Sequence, residues 1–244
     1  MSSDQPEQFD SAGQTWRGRE VTDTGFGTDD GSADPAVSAA LADPGDLKSL
    51  LRVLNGARFL VPIVADPTEV VQEGQLMADK AADMAVAVLV APEGTRALPV
   101  FTSMDSLHAW DPSARPSPVT SARAAQAAVS ERCDIIVVDV AGPHPTTLRP
   151  SMVWAVAMER DWLPAHEDPH VVQAVSEAVE PEPAIDRAVC EDGGDGALRI
   201  ALHVVPGLTG DQLGELASRV GEQLATDGET RARIDAITFA IRPA

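Results

Sequence analysis

Residues 84–101 read MAVAVLVAPEGTRALPVF, and the fold turns on this stretch. Two β-rich apolar runs, Met84 to Ala91 and Arg96 to Phe101, flank Pro92-Glu93-Gly94-Thr95. Proline presets one turn dihedral and glycine admits a left-handed one, so the stretch predicts an antiparallel hairpin. Downstream, Ser103 is placed to cap a short helix through Trp110, closed by Asp111-Pro112. Thr120 or Ser121 caps a second helix running to Arg132, whose alanine-rich face offers Ala122, Ala125, Ala128 and Val129. Ile135 to Val138 is then apolar without a break, the pattern of a strand covered on both faces. A strand pair made locally, then helices, then a buried strand predicts a mixed sheet with helices packed against it, an α+β fold.

Upstream, Asp34-Pro35 opens a helix that ends before Asp43-Pro44-Gly45, and Asp46 opens another carrying Leu47, Leu50, Leu51 and Leu54 to Asn55-Gly56. Phe59 to Ala65 reads as a strand, and Pro62 suggests an edge position because proline cannot donate to a ladder. Pro150 with Met152, Val153, Val156 and Ala157 suits a closing helix.

The last third repeats the logic at smaller scale. Asp168-Pro169 starts a helix with Val171, Val172, Val175 and Val179. Ile185 to Cys190 and Leu198 to Val205 form a strand pair through Gly193-Gly194-Asp195-Gly196, and Thr209 and Gln212 have the spacing of a capping box. Leu213, Leu216, Ala217, Val220 and Leu224 then recur at helical spacing before a final strand, Ala236 to Ile241. The order is α-β-β-α-β.

The whole chain has 244 residues, 44% of them hydrophobic, enough to bury a core. It carries 38 acidic and 18 basic residues, a net charge of −20, with Lys48 and Lys80 as its only lysines. That excludes the basic footprint a nucleic-acid backbone needs. No apolar run is long enough to span a bilayer and the N-terminus lacks the features of a signal peptide, so a cytoplasmic location is expected. Cys133 and Cys190 are too few for a disulfide scaffold and read as small buried hydrophobes. Acidity concentrates in two places, 10 acids against 3 bases over residues 1–50 and 11 against 2 over residues 159–196. The expected organisation is an acidic leader over 1–33, an α+β domain over 34–164, an acidic linker and helix over 165–184, and a small α+β domain over 185–244. Trp16, Arg19 and Phe26 are the leader's candidate anchors.

The segment Ala78-Asp79-Lys80 through Leu98-Pro99-Val100-Phe101-Thr102-Ser103, then Leu107, Trp110, Asp111 and Ala114-Arg115-Pro116, resembles the SseB family. The leader Trp16-Arg17-Gly18-Arg19-Glu20, Gly25-Phe26, Asp29-Asp30-Gly31 and Ala33-Asp34-Pro35 is similar to that of its actinobacterial branch. The resemblance implies an SseB N-terminal domain followed by a C-terminal SseB-like domain. The family name refers to serine sensitivity, and the resemblance brings no catalytic residue or cofactor with it.

Three motifs look like chemistry and read otherwise. His166-Glu167-Asp168-Pro169-His170 has the H-E-x-x-H spacing of a zinc protease, but Pro169 forbids one helix carrying both histidines. With Asp168 as N-cap, His166 lies outside the helix and His170 in its first turn. Asp29-Asp30-Gly31 and Asp34 do not align to a calcium loop in either register and read as a solvated acidic turn. Gly193 to Gly196 lies between antiparallel strands and reads as a flexible turn rather than a phosphate cradle. No metal and no cofactor is expected, no G-x-S-x-G elbow occurs, and His108, His144 and His203 are isolated.

The cluster with the best claim to ligand chemistry is Asp79, Lys80 and Asp83, with Arg96 across the hairpin and Asp111 and Arg115 beyond the next helix. A lysine among carboxylates can hold a zwitterion or a partner's charged group, or fix a strand entry by ion pairing. The expected function is a non-catalytic binding or regulatory protein with a protein partner. The alternative is a small-ligand, amino-acid sensor or an enzyme of amino-acid metabolism using the Asp79, Lys80 and Arg115 region.

Overall fold

Helix starts are where backbone and side-chain chemistry agree best, and α1 (Pro35–Ala42) and α2 (Leu47–Asn55) begin where the aspartates place them. Asp34 accepts the Ala36 N–H at 2.7 Å, and Asp46 accepts those of Lys48 and Ser49, caps worth about 1 kcal/mol each. The computed structural model describes residues 25–65 and 84–244. The described residues divide into two units, 25–30 and 31–244. Within the first, the Asp29 N–H closes a turn on the Phe26 carbonyl. Trp16 and Arg19 lie outside the described residues.

In the second unit α2 leads into β1 (Arg58–Ala65). β2 (Met84–Val86), β3 (Leu89–Val90), β4 (Arg96–Val100) and α3 (Met104–Trp110) follow. Then come β5 (Arg115–Thr120), α4 (Ser121–Ser130), β6 (Ile135–Val138), β7 (Thr146–Leu148) and α5 (Pro150–Ala157). One sheet runs β2-β1-β5 and a second β3-β4-β6-β7, in which β4 and β6 are parallel and the outer pairs antiparallel. The fold is α+β, and the mixed sheet is present.

Four expectations need correction. The hairpin holds at its turn end, where Leu89 and Val90 pair with Ala97 and Arg96 and Gly94 takes φ +94°. Met84–Val86 instead pairs with β1, so one apolar run serves two sheets. Pro62 is not at an edge, because β1 is the central strand of its sheet. Leu60 exchanges both backbone bonds with Phe101, so the backbone groups of residues 60 and 62 turn away from β5. The Pro62 carbonyl accepts the Ala87 N–H, and the β1–β2 ladder begins one residue later at Ile63↔Val86, so the missing donor falls at its end. Val129 is 61% exposed and Ala124 takes the buried position beside Ala122, Ala125 and Ala128. Finally, β6 buries Ile136 and Val138 but leaves Ile135 and Val137 half-buried.

β5 escaped sequence reading because Pro116 and Pro118 argue against a strand. It is an edge strand, and both prolines sit where the N–H would face away from β1.

The main core joins Val37 and Leu41 of α1, Leu50, Leu51 and Leu54 of α2, Phe59, Leu98, Ala124, Ala125 and Ala128 of α4, Ile136 and the inner face of α5. Leu60, Phe101 and Leu107 form a smaller core beneath α3, where the Phe101 and Trp110 rings lie 5.4 Å apart. Burying each Leu or Phe contributes about 2 kcal/mol.

The last third holds α6 (Pro169–Val179), β8 (Ile185–Asp192), β9 (Ala197–Val204), α7 (Gly210–Thr226), α8 (Gly228–Ala232) and β10 (Ala236–Pro243). The α-β-β-α-β order is present with α8 inserted. The sheet order is β10-β9-β8, with β9 antiparallel to β8 and parallel to β10. Leu198, Ile200, Leu202 and Val204 pack with Val171 and Val175 of α6 and Leu216, Val220 and Leu224 of α7. Leu47 and Val172, placed among the apolar residues of their helices, are 40% and 42% exposed near the helix starts.

α8 depends on its cap. Asp227 accepts the Thr230 hydroxyl and backbone N–H, both at 2.7 Å, and His170 Nε2 lies 3.4 Å away. The Thr230 hydroxyl and then its N–H hold the Asp227 carboxyl at about 2, below the usual 3.8. A folded value below the unfolded one gives stability that is whole above about pH 4 and lost as pH falls toward 2. Asp227→Asn is therefore expected to lower the urea midpoint at neutral pH, with the gap from the unsubstituted protein closing between pH 4 and 2. A gap that stays constant across that range would contradict the capping role.

Candidate functional site

Parallel strands point their carboxyl ends to the same side, and that side is where open α/β sheets bind ligands. Within the β3-β4-β6-β7 sheet the parallel pair is β4 and β6. Beyond β4 the chain runs Phe101-Thr102-Ser103 into α3, and beyond β6 it turns at Asp139. Between these ends lies a cleft of about 350 Å³ walled by α1, α3 and the 141–144 turn. Leu41, Ala109 and Pro143 give it an apolar lining, and Asp105, Asp139 and His144 give it polar groups. The described wall carries no lysine or arginine.

Asp139 is the unusual residue. It is 8% exposed and takes φ +50°, a left-handed conformation that costs a non-glycine residue about 1 kcal/mol or more. Its backbone N–H donates to Val100, and its carboxylate accepts the Thr102 N–H at 2.9 Å and the Thr102 hydroxyl at 2.6 Å. Thr102 is itself 5% exposed. The carboxylate therefore ties the end of β4 to the end of β6, and Arg58 secures the same turn by donating to the Thr102 carbonyl at 2.8 Å. At the mouth, Ser103 and Ser106 cap α3 reciprocally, as the sequence predicts for Ser103.

A second cleft, also of about 350 Å³, lies where the two large cores meet. Arg149, Ser151, Trp162, Asp192, Asp195, Gly196 and Asp235 are among its walls. Asp235 accepts from Arg149 Nε at 2.8 Å, from the Ser151 N–H at 2.8 Å and from the Ser151 hydroxyl at 3.0 Å. Trp162 Nε1 donates to that hydroxyl at 3.0 Å, and the Arg149 guanidinium lies 5.8 Å from the Trp162 ring centre.

The residues singled out in the sequence are dispersed or undescribed. Asp79, Lys80 and Asp83 lie outside the described residues. Arg96 donates to the Glu131 and Arg132 carbonyls, closing the end of α4. Asp111 accepts from the Ser113 hydroxyl and N–H, which hold its carboxyl below the usual range. Arg115 opens β5 opposite Ile63. Among the described residues, no hydrogen bond or ion pair joins these three to one another.

Glu167, Asp168 and His170 of the H-E-x-x-H stretch have partners outside it, and His166 Nε2 lies 3.7 Å from Glu167. Asp168 caps α6 on the His170 N–H and takes Arg233 at 2.7 Å. Glu167 pairs with Lys48 at 2.9 Å, and His170 Nε2 lies 3.0 Å from the Thr230 hydroxyl. Among the described residues, no three His, Cys, Asp or Glu side chains gather as a metal site, and no helix is long and apolar enough to cross a membrane.

Sequence reasoning missed both Asp139 and Asp235. Asp139 follows a four-residue β-branched run and precedes Val140-Ala141-Gly142, a strand-end aspartate before a glycine turn, which was its only signal.

Residues 34–155, half of the chain, match the family model of the SseB protein N-terminal domain. No curated protein matches the chain and no solved structure does.

Proposed function

The chain belongs to the SseB family, and on that premise we propose that it is a non-catalytic binding module whose family domain takes a small amine in the cleft at the ends of β4 and β6. The matched residues supply all of that cleft but Ala33. The observation that carries the reading is Asp139. Both its carboxylate oxygens accept from Thr102, so it shapes the cleft, while each oxygen keeps lone-pair capacity for a ligand donor. With Asp105 it gives the cleft a negative lining over an apolar floor, complementary to an ammonium group on a compact hydrocarbon body.

Cyclohexylamine and its uncharged counterpart cyclohexanol test this. The amine is expected to raise the melting temperature with the logarithm of its concentration above Kd, by an amount equivalent to about 2.7 kcal/mol at a hundredfold excess over Kd. Cyclohexanol is expected to give little shift, and the double substitution Asp105→Asn with Asp139→Asn is expected to abolish the response. Equal shifts from amine and alcohol, or an unchanged response in the double variant, would overturn the reading.

A further inference from the structure

The Arg149 side chain carries more binding capacity than the protein uses. Its Nε is committed to Asp235 at 2.8 Å, and its plane is held by Trp162. Among the described residues no hydrogen bond engages its two terminal nitrogens, and 27% of the side chain remains accessible at the wall of the cleft between the two cores. Two adjacent N–H-bearing nitrogens in one rigid plane are the geometry that a carboxylate accepts in bidentate fashion.

The wall beside it is shaped for this approach. A Cβ on Gly196 would stand 2.5 Å from Arg149 Cζ, so only glycine lets the β8–β9 turn close over the guanidinium. Gly196 also takes φ +82°, which glycine adopts without strain. The same turn brings the carboxylates of Asp192 and Asp195 to the cleft wall. Asp192 accepts the Gly194 N–H at 2.8 Å, which fixes its direction. The cleft therefore presents a guanidinium fork and, on the turn, two acids.

We propose that this cleft is a second binding site, distinct from that at Asp139, for a small zwitterion whose carboxylate pairs with Arg149 and whose ammonium group faces Asp192 and Asp195. Asp235 and Trp162 act as positioning residues, since they hold the guanidinium without facing the ligand's charge. Arg233, in the same wall, gives its two terminal nitrogens to Asp168 and Glu229 and has its Nε buried, so Arg149 is the cation that offers a terminal fork to the anion.

An isosteric series separates the two ends of the ligand. 4-Aminobutanoate, butanoate and butylamine are titrated into 15N-labelled full-length protein, with the Trp162 indole N–H as the local reporter, assigned by Trp162→Phe. 4-Aminobutanoate is expected to move that resonance and the Gly196 amide saturably, with butanoate at least tenfold weaker and butylamine without effect there. Asp192→Asn with Asp195→Asn, both on an exposed turn, is expected to bring 4-aminobutanoate down to the butanoate level. Arg149→Lys keeps a partner for Asp235 but loses the fork, and is expected to abolish both carboxylate responses. Equal affinity for butanoate and 4-aminobutanoate, or no saturable change with any of the three, would overturn the proposal. A 4-aminobutanoate response confined to Thr102 and Asp139, the other cleft, would overturn it as well.

Discussion

Asp235→Ala is expected to destabilise the protein by about 3 kcal/mol, at the lower end for removing one partner of a buried ion pair. The Asp235 side chain is 9% accessible and the Arg149 side chain 27%, so the pair is largely desolvated. Truncation strands more than a charge. The Ser151 N–H and hydroxyl lose their acceptor, and the Trp162 indole is left on a hydroxyl free to rotate. These groups belong to α5, to the turn after it and to the start of β10, so the loss falls where the two large cores meet. Arg242→Ala serves as the comparison, because its bidentate pair with Glu191 is more exposed and is expected to contribute below about 1 kcal/mol. Equilibrium urea unfolding at pH 7 separates the two. Similar small losses from both substitutions would mean that the Asp235 network does not hold the cores together.

The second large effect lies at Asp139, where three substitutions separate strain from bonding. Asp139→Ala leaves the buried Thr102 N–H without its acceptor, about 1–3 kcal/mol, and keeps a left-handed residue with a Cβ, about 1 kcal/mol more. Asp139→Gly removes the strain but not the lost acceptor. Asp139→Asn tolerates the conformation and retains one acceptor oxygen, so its cost is expected near 1 kcal/mol. The expected order of loss is Ala, then Gly, then Asn, with Ala about 3 kcal/mol below the unsubstituted protein in chemical denaturation. Ala and Asn equal within error would show that the carboxylate does not bind the ends of β4 and β6 together.

Much of the fold was legible because its signals are local. Asp34, Asp46, Ser103, Thr120, Asp168 and Thr209 each declare a helix start by one side chain reaching a nearby N–H, and each does so in the structure. The strand pair β8–β9 was legible from alternation and glycine. What failed was partner choice. Val, Ala and Leu in residues 84–91 say that a strand is apolar, not which sheet receives it, so β2 and β3 read as one. Pro62 was misread, and the proline-bearing β5 went unread, for one reason: a strand proline's effect depends on which side of the strand its missing N–H faces, and only the register supplies that. The sites were less legible still. Asp139 meets Thr102 across 37 residues and Asp235 meets Arg149 across 86, separations at which no motif spacing operates. The sequence directs attention to clusters of neighbouring charges, whereas these sites are built from single aspartates brought together by sheet topology.

The central claim is that the family domain holds its ligand between the carboxyl ends of β4 and β6, and a crystal structure grown with cyclohexylamine tests it most directly. The account predicts the amine nitrogen within hydrogen-bonding distance of Asp139 or Asp105, with the ring against Leu41, Ala109 and Pro143. An amine that binds saturably in solution yet occupies another part of the molecule, leaving this cleft to solvent, would contradict it.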